Sequence, residues 1–196
     1  MGSADEARKY VRESLYLREA MADEVVNYAA LARHIAEELD KDGDQSVKAI
    51  EVALRRMQLE TGSEERKRVL ASTTYTMYAD AAVLRGIDQA LTGSLASVAD
   101  ESNALFAKVQ TEKSVTVITV DSVLPEHVDS YERVAAFKLS SPADIEETPG
   151  VVALLTQRLG DKDVNIVEMF SCQEETVFAV SNDDVSATIT CLNELC

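Results

Sequence analysis

The chain has 196 residues, 46% of them hydrophobic, which is enough for one large domain or two small ones around a buried core. No apolar run approaches the roughly 20 residues that span a bilayer, and the opening MGSADEARKY is too charged for a secretion signal, so the expectation is a cytoplasmic protein with no membrane partner. Thirty-five acidic against 19 basic residues give a formal charge of −16, a surface suited to high salt, where screening relieves self-repulsion, and unsuited to tight binding of phosphate at moderate salt. The bases are uneven: residues 1–70 carry 12 against 15 acids, whereas 71–196 carry 7 against 20, which hints at two jobs.

All three prolines, Pro125, Pro142 and Pro149, lie beyond residue 124, and the start reads as helices. Ser3 and Glu6 have capping-box spacing, and Tyr10, Val11, Leu15 and Met21 recur at helical intervals. Asn27 is a good cap for a second helix with Tyr28, Leu31, Ala32, Ile35 and Leu39 on one face. DKDGD at 40–44 predicts a turn in which Gly43 supplies positive φ. A third helix follows over 45–58, burying Val47, Ile50, Ala53, Leu54 and Met57, and TGSEERKR caps a short charged helix whose Arg66, Lys67 and Arg68 form a solvated face.

From residue 73 the texture changes. The stretch 73–84 is β-branched and tyrosine-rich, as a strand requires; helical spacing follows over 87–98, then ALFAKVQ and SVTVITV as strands joined by TEK, and LPEHVDSY as a short helix. The order then repeats: strand 133–140, loop SPADIEET, helix 149–159, strand NIVEMFSC, turn QEE, strand TVFAVS, and a closing helix over 183–195. The fold class is therefore α+β, with a helical head over 1–71 and two βαββα halves of about 60 residues, 72–131 and 132–196.

Chemistry is sparse. Cys172, Cys191 and Cys196 are widely spaced without a C-x-x-C, and with only His34 and His127 there is no basis for zinc or any other cofactor; the thiols read as small buried or terminal groups. No Gly-rich phosphate loop and no Ser-His or Cys-His pairing argues for an enzyme, and both histidines read as surface or structural residues. The informative stretch is ETPGVVALLTQRLGDKDVNIVEM at 147–169. Pro149 suits a first helical turn and Gly150 a close backbone approach, beside a helix start whose N–H groups suit a carboxylate; Asn165 opens the next strand and can hydrogen-bond an amino or amide group. The same features also serve a plain strand-to-helix turn.

The order of Pro-Gly-Val, Leu-rich helix, Asn-Ile strand opening and acidic start to the last helix, over 132–196, resembles the ACT domain, the regulatory fold of aspartate kinases and other amino-acid enzymes. The resemblance implies a ferredoxin-like fold and an amino-acid effector bound between two modules. Asp144, Thr148, Pro149, Gly150 and Val151 would form the loop side and Asn165, Ile166 and Val167 the strand side. The usual module adds a fourth strand after its second helix. Here that strand would come from the first half, from a second copy, or not exist. The first half has Gly86 but no Pro-Gly and is read as degenerate. The head, NYAALARHIAEELDKDGDQSVKAIEVALRRM, resembles the helix-turn-helix class, which would turn Lys48, Arg55 and Arg56 toward DNA; a plain docking bundle has the same spacing. The whole arrangement resembles an archaeal family of predicted regulators of amino-acid metabolism, and its acidity suits a halophilic member. The resemblance implies a non-enzymatic homodimer that passes an effector signal either to DNA or to a biosynthetic enzyme.

Overall fold

The computed structural model describes residues 2–41, 43–57, 63–126, 128 and 130–196, which form two compact units, 1–64 and 65–196.

In the first unit the helices are α1 (Ser3–Glu13), α2 (Leu15–Ala22), α3 (Tyr28–Glu38) and α4 (Asp44–Arg55). They close on Ala7, Val11, Met21, Leu31, Ile35, Ile50 and Leu54. The opening helix expected from the periodicity is two helices, because Ser14 adopts an extended backbone and its Oγ accepts from the Leu17 N–H. The Ser3 capping box does not form: Gly2 is the N-cap, and the Glu6 carboxylate pairs instead with Lys41, whose hydrogen bond holds its pKa below the usual carboxylate value. Asn27 does cap α3, its Oδ1 accepting from the Ala29 and Ala30 N–H groups. The turn before α4 differs from expectation. Gly43 has φ −64° and serves as the N-cap, while the left-handed residue is Asp40 at φ 53°. Helix α4 stops at Arg55; Gln58 and the expected cap at Thr61 lie outside the described residues.

The second unit holds most of α5 (Ser63–Ala71), then β1 (Thr74–Arg85), α6 (Gln89–Ser102), β2 (Phe106–Gln110), β3 (Val115–Val120), β4 (Glu132–Ser140), α7 (Val151–Gly160), β5 (Ile166–Cys172), β6 (Glu175–Val180) and α8 (Val185–Leu195). The six strands form one sheet in the order β2-β3-β1-β4-β6-β5, and every pairing is antiparallel. The two halves are thus joined by β1 against β4, with Tyr75 opposite Leu139, Met77 opposite Phe137 and Ala82 opposite Arg133. The position that a fourth strand would take beside β4 is filled by β1, so the first half supplies it. The helix expected over 124–131 is not seen among its described residues, and His127 and Asp129 lie outside them; a 3₁₀ turn at Asp121–Val123 comes earlier instead.

Alternation along each strand separates two cores. One sheet face carries Ala135, Phe137, Leu139, Phe178 and Val180 against α5, α7 and α8, and Ala82 and Leu84 against Leu95 and Ala99 of α6. The other face carries small residues, Ala81, Val83, Val134, Ala136 and Ala179, in one cluster with Ala107 of β2 and Phe170 of β5. The sheet is therefore rolled: its two edge strands, β2 and β5, come into contact. Arg85 fastens one end of the roll, donating to Glu132 (2.7 Å), Glu168 (2.8 Å) and the Val167 carbonyl (3.4 Å); the two carboxylates raise its pKa further.

Phe137 is fully buried and stacked on Phe178 at 5.3 Å. Phe137→Ala is expected to lower the unfolding free energy by about 3–5 kcal/mol, read from urea denaturation followed by circular dichroism; a loss under about 1 kcal/mol would show that this stack is not part of a packed core.

Candidate functional site

The chain leaves β4 at Ser140 into a loop that includes a 3₁₀ turn at Ala143–Glu146 and ends at Gly150. Helix α7 begins at Val151, so Pro149 stands in the turn before the helix rather than in its first turn as the sequence suggested. Gly150 is the N-cap with φ 88° and provides no side-chain cap, so the first N–H groups of α7 have no side-chain acceptor at the cap. Its positive φ is one that residues with a Cβ adopt at a cost. Thr148 is buried and its hydroxyl donates to the Asp144 carbonyl at 2.7 Å, which fixes the loop internally. Val151 is 2% exposed and belongs to the core. Of the five loop residues singled out from sequence, Asp144 and Pro149 are exposed and Gly150 is half-buried.

Helix α5 lies on this loop. Arg66 is only 4% exposed, and a Cβ built on Gly150 would stand 3.2 Å from its Cδ and 3.8 Å from Nε and Nη1. Arg68 Nη2 lies 3.4 Å from Asp144 Oδ2. At the end of α5, Thr73 Oγ1 is 2.9 Å from both the Val69 carbonyl and Ser141 Oγ, which ties the helix to the start of the same loop. The reading of 66–68 as a solvated charged face is therefore corrected for Arg66. The signal was present, since Arg66, Val69, Leu70 and Thr73 are spaced i, i+3, i+4, i+7 and share the buried face. An arginine on an apolar face was weighed by its charge rather than by its position.

The strand side is elsewhere. Asn165 is exposed just before β5, its N–H donating to Asp184 Oδ2 at 3.3 Å. Ile166 and Val167 are half-buried on opposite faces of β5, and the register slips between Ile166 and Glu168. Ser140 is level with Glu175 and Cys172, whereas Ile166 is level with Val180 and Ala135. Five strand residues separate the two levels, about 17 Å at the usual rise. One chain thus keeps the loop side and the strand side at opposite ends of its sheet.

In the head, Lys48, Arg55 and Arg56 are all exposed on or just after α4. Arg55 is held by Glu51 at 2.9 Å and lies over the Tyr28 ring at 5.0 Å, and Val52, between the basic residues, is 48% exposed. His34 is exposed on α3, and His127 lies outside the described residues. Cys191 is buried and Cys196 half-buried, each with its thiol pKa raised by burial, whereas Cys172 is exposed. Among the described residues no group of three or more His, Cys, Asp or Glu is placed to hold a metal, and no helix is long and apolar enough to cross a membrane.

No protein-family model and no curated protein matches the chain. Solved structures with a similar arrangement include the ligand-free regulatory subunit of aspartate kinase from Thermus thermophilus, 12% identical over 64% of this chain and 98% of that one, with a TM-score of 0.45. Aspartate kinase from Clostridium acetobutylicum is 17% identical over 62% of this chain and 34% of that one, with a TM-score of 0.46. A Vibrio cholerae protein of unknown function, described as a possible transport protein, is 14% identical over 68% of this chain and 98% of that one, with a TM-score of 0.49. Likeness at this level carries no argument about what this chain binds or does.

Gly150 and Gly86 both have positive φ, but only Gly150 has a neighbour where a Cβ would go. Gly86→Ala is expected to cost only the backbone strain, about 1–2 kcal/mol, and Gly150→Ala measurably more because Arg66 must also move. Equal losses in thermal or urea unfolding would show that α5 does not press on the loop.

Proposed function

We propose that the chain is a non-enzymatic regulator of amino-acid metabolism whose body senses an amino acid and whose helical head carries the signal. The observation that carries this reading is the seat of Arg66 against Gly150. A cation beside a helix start that has no side-chain cap, where Gly150 allows close backbone approach, suits a carboxylate. The same arginine stands on α5, the last helix of the segment 1–71 read from the sequence as the head, so an effector that changes how Arg66 lies also changes α5. The effector shifts this equilibrium only by its difference in affinity for the two packings.

In this reading Asp144, Thr148, Pro149, Gly150 and Val151 of one copy form the loop side, and Asn165, Ile166 and Val167 of a second copy supply contacts to the α-amino group and side chain. Their separation within one chain makes a two-fold homodimer the natural assembly, with each loop meeting the partner's strand. The body is an ACT-type pair of ferredoxin-like halves, the first having lost its own Pro-Gly loop. High salt and a cytoplasmic, archaeal setting suit the acidic surface.

The output of the head has two readings. One is DNA, through Lys48, Arg55 and Arg56 of a helix-turn-helix. The other is a biosynthetic enzyme on which the chain docks, and the surface of α4 favours it, because Arg55 is engaged by Glu51 and Tyr28 and an exposed Val52 interrupts the basic stripe. DNA retention that weakens with salt and disappears when Lys48, Arg55 and Arg56 are replaced would select the first. Salt-independent co-purification of an amino-acid biosynthetic enzyme would select the second.

The sensing claim is tested by thermal unfolding of the full chain in high salt with each of the twenty amino acids, since a ligand of the folded state raises Tm. One related group of amino acids is expected to raise it. Gly150→Gln and Asn165→Leu should each abolish the shift while leaving the circular dichroism spectrum unchanged. The same shift in both variants would contradict the site.

A further inference from the structure

Helices α5, α7 and α8 line an open cavity of about 470 Å³, within the span of about 300–1,000 Å³ usual for small-ligand pockets. Its wall is apolar where it is deepest: Leu70 and Cys191 are buried, and Leu154 and Leu195 are half-buried. Its rim carries Lys67, Arg158 and Lys162 against Asp161 and Glu194.

That balance is unusual for this body. Residues 71–196 hold 7 basic against 20 acidic residues, yet two of those seven meet Lys67 at this opening. Lys162 is engaged by Glu194 at 2.9 Å. Arg158 makes no ion pair or hydrogen bond among the described residues, although acidic groups are abundant around it. An apolar pocket with an uncommitted arginine at its rim favours an anion over an ammonium ligand, and it offers an anion without an apolar tail little beyond that one contact. Both features are satisfied by one class of molecule.

We propose that this cavity binds a small aliphatic carboxylate, its tail against Leu70, Leu154 and Leu195 and its carboxylate on Arg158. Guanidinium and carboxylate match as a two-pronged pair, and the apolar wall contributes by removing the tail from water. The C-terminal end of α7 bears partial negative charge, so the anion depends on the side chains and not on the helix. Arg158 is eight residues beyond Gly150 on α7, about 12 Å along its axis, so the carboxylate seat is separate from the proposed effector loop, although the cavity reaches Leu154, one turn from Gly150. A tail lodged between α5 and the α7/α8 pair would bear on the same α5 that carries Arg66.

The test is isothermal titration of the full chain with octanoate, with octylammonium and sulfate as charge-reversed and tail-less controls. Saturable one-to-one binding of octanoate alone is expected. Arg158→Glu, an exposed change that leaves the core intact, should weaken it about tenfold or more, and Lys113→Glu, the same charge change in the exposed turn between β2 and β3, should leave it unchanged. No saturable heat from octanoate, equal binding of octylammonium or sulfate, or wild-type affinity in Arg158→Glu would overturn the proposal. Equal loss of octanoate binding in Lys113→Glu and Arg158→Glu would show a dependence on net charge alone and overturn it equally.

Discussion

The antiparallel pairing of β1 with β4 is the constraint on which the body depends. A single sheet can be built across two βαββ units only if the first strand of each gives up its free side to the other, and here both do. Two otherwise dangerous strand edges are thereby removed, and the remaining edges, β2 and β5, approach each other across the roll. The junction mixes large and small residues, Tyr75 opposite Leu139 and Met77 opposite Phe137 at one end and Ala81 opposite Val134 at the other, with a register shift between Tyr78 and Ala81. Large side chains on both faces at this point would hold the sheet flat. Small ones on the inner face and Phe137 and Leu139 on the outer let it curl around Val83, Ile118 and Ala179 while keeping α7 and α8 packed on the outside.

The location of the candidate site follows from this topology. Because β4 and β5 run in the same direction with β6 between them, the loop after β4 and the start of β5 must lie at opposite ends. What fills the space beside the loop is α5, brought there by Val69 and Leu70 in the core and by the hydroxyl pair of Thr73 and Ser141. Arg66 then has nowhere to lie but against Gly150, where the absence of a Cβ makes room for its methylenes. The burial of Arg66 and the open turn at Gly150 are in this way a single contact.

Much of this was legible in the sequence because local patterns were strong. Alternation in SVTVITV and TVFAVS, the Asn27 cap and the Pro-Gly turn each pointed to the element that formed, within a few residues at the ends. The failures have two sources, a distant partner in one case and a competing local cap or turn in the others. Glu6 had the spacing of a capping box but found Lys41, and Ser14 broke a periodic helix by capping the next one. Gly43 had the freedom for positive φ, yet Asp40 took that conformation and left Gly43 to begin α4. The burial of Arg66 was legible only as position, since its charge argued for solvent. Nothing local could show that β1 completes the sheet beside β4, because that pairing joins residues about 50 to 65 apart in the chain, from Val83 and Glu132 at the nearer end to Thr74 and Ser140 at the farther.

The central claim is that the β1–β4 junction makes the body one cooperative structure and not two adjoining halves. Native-state hydrogen exchange in rising denaturant tests it directly, by comparing the opening free energies of amides in β1 and β3 with those in β4 and β6. The account predicts that both sets converge on a single global unfolding event. Two separate isotherms, with β1 and β3 opening while β4 and β6 stay protected, would contradict it.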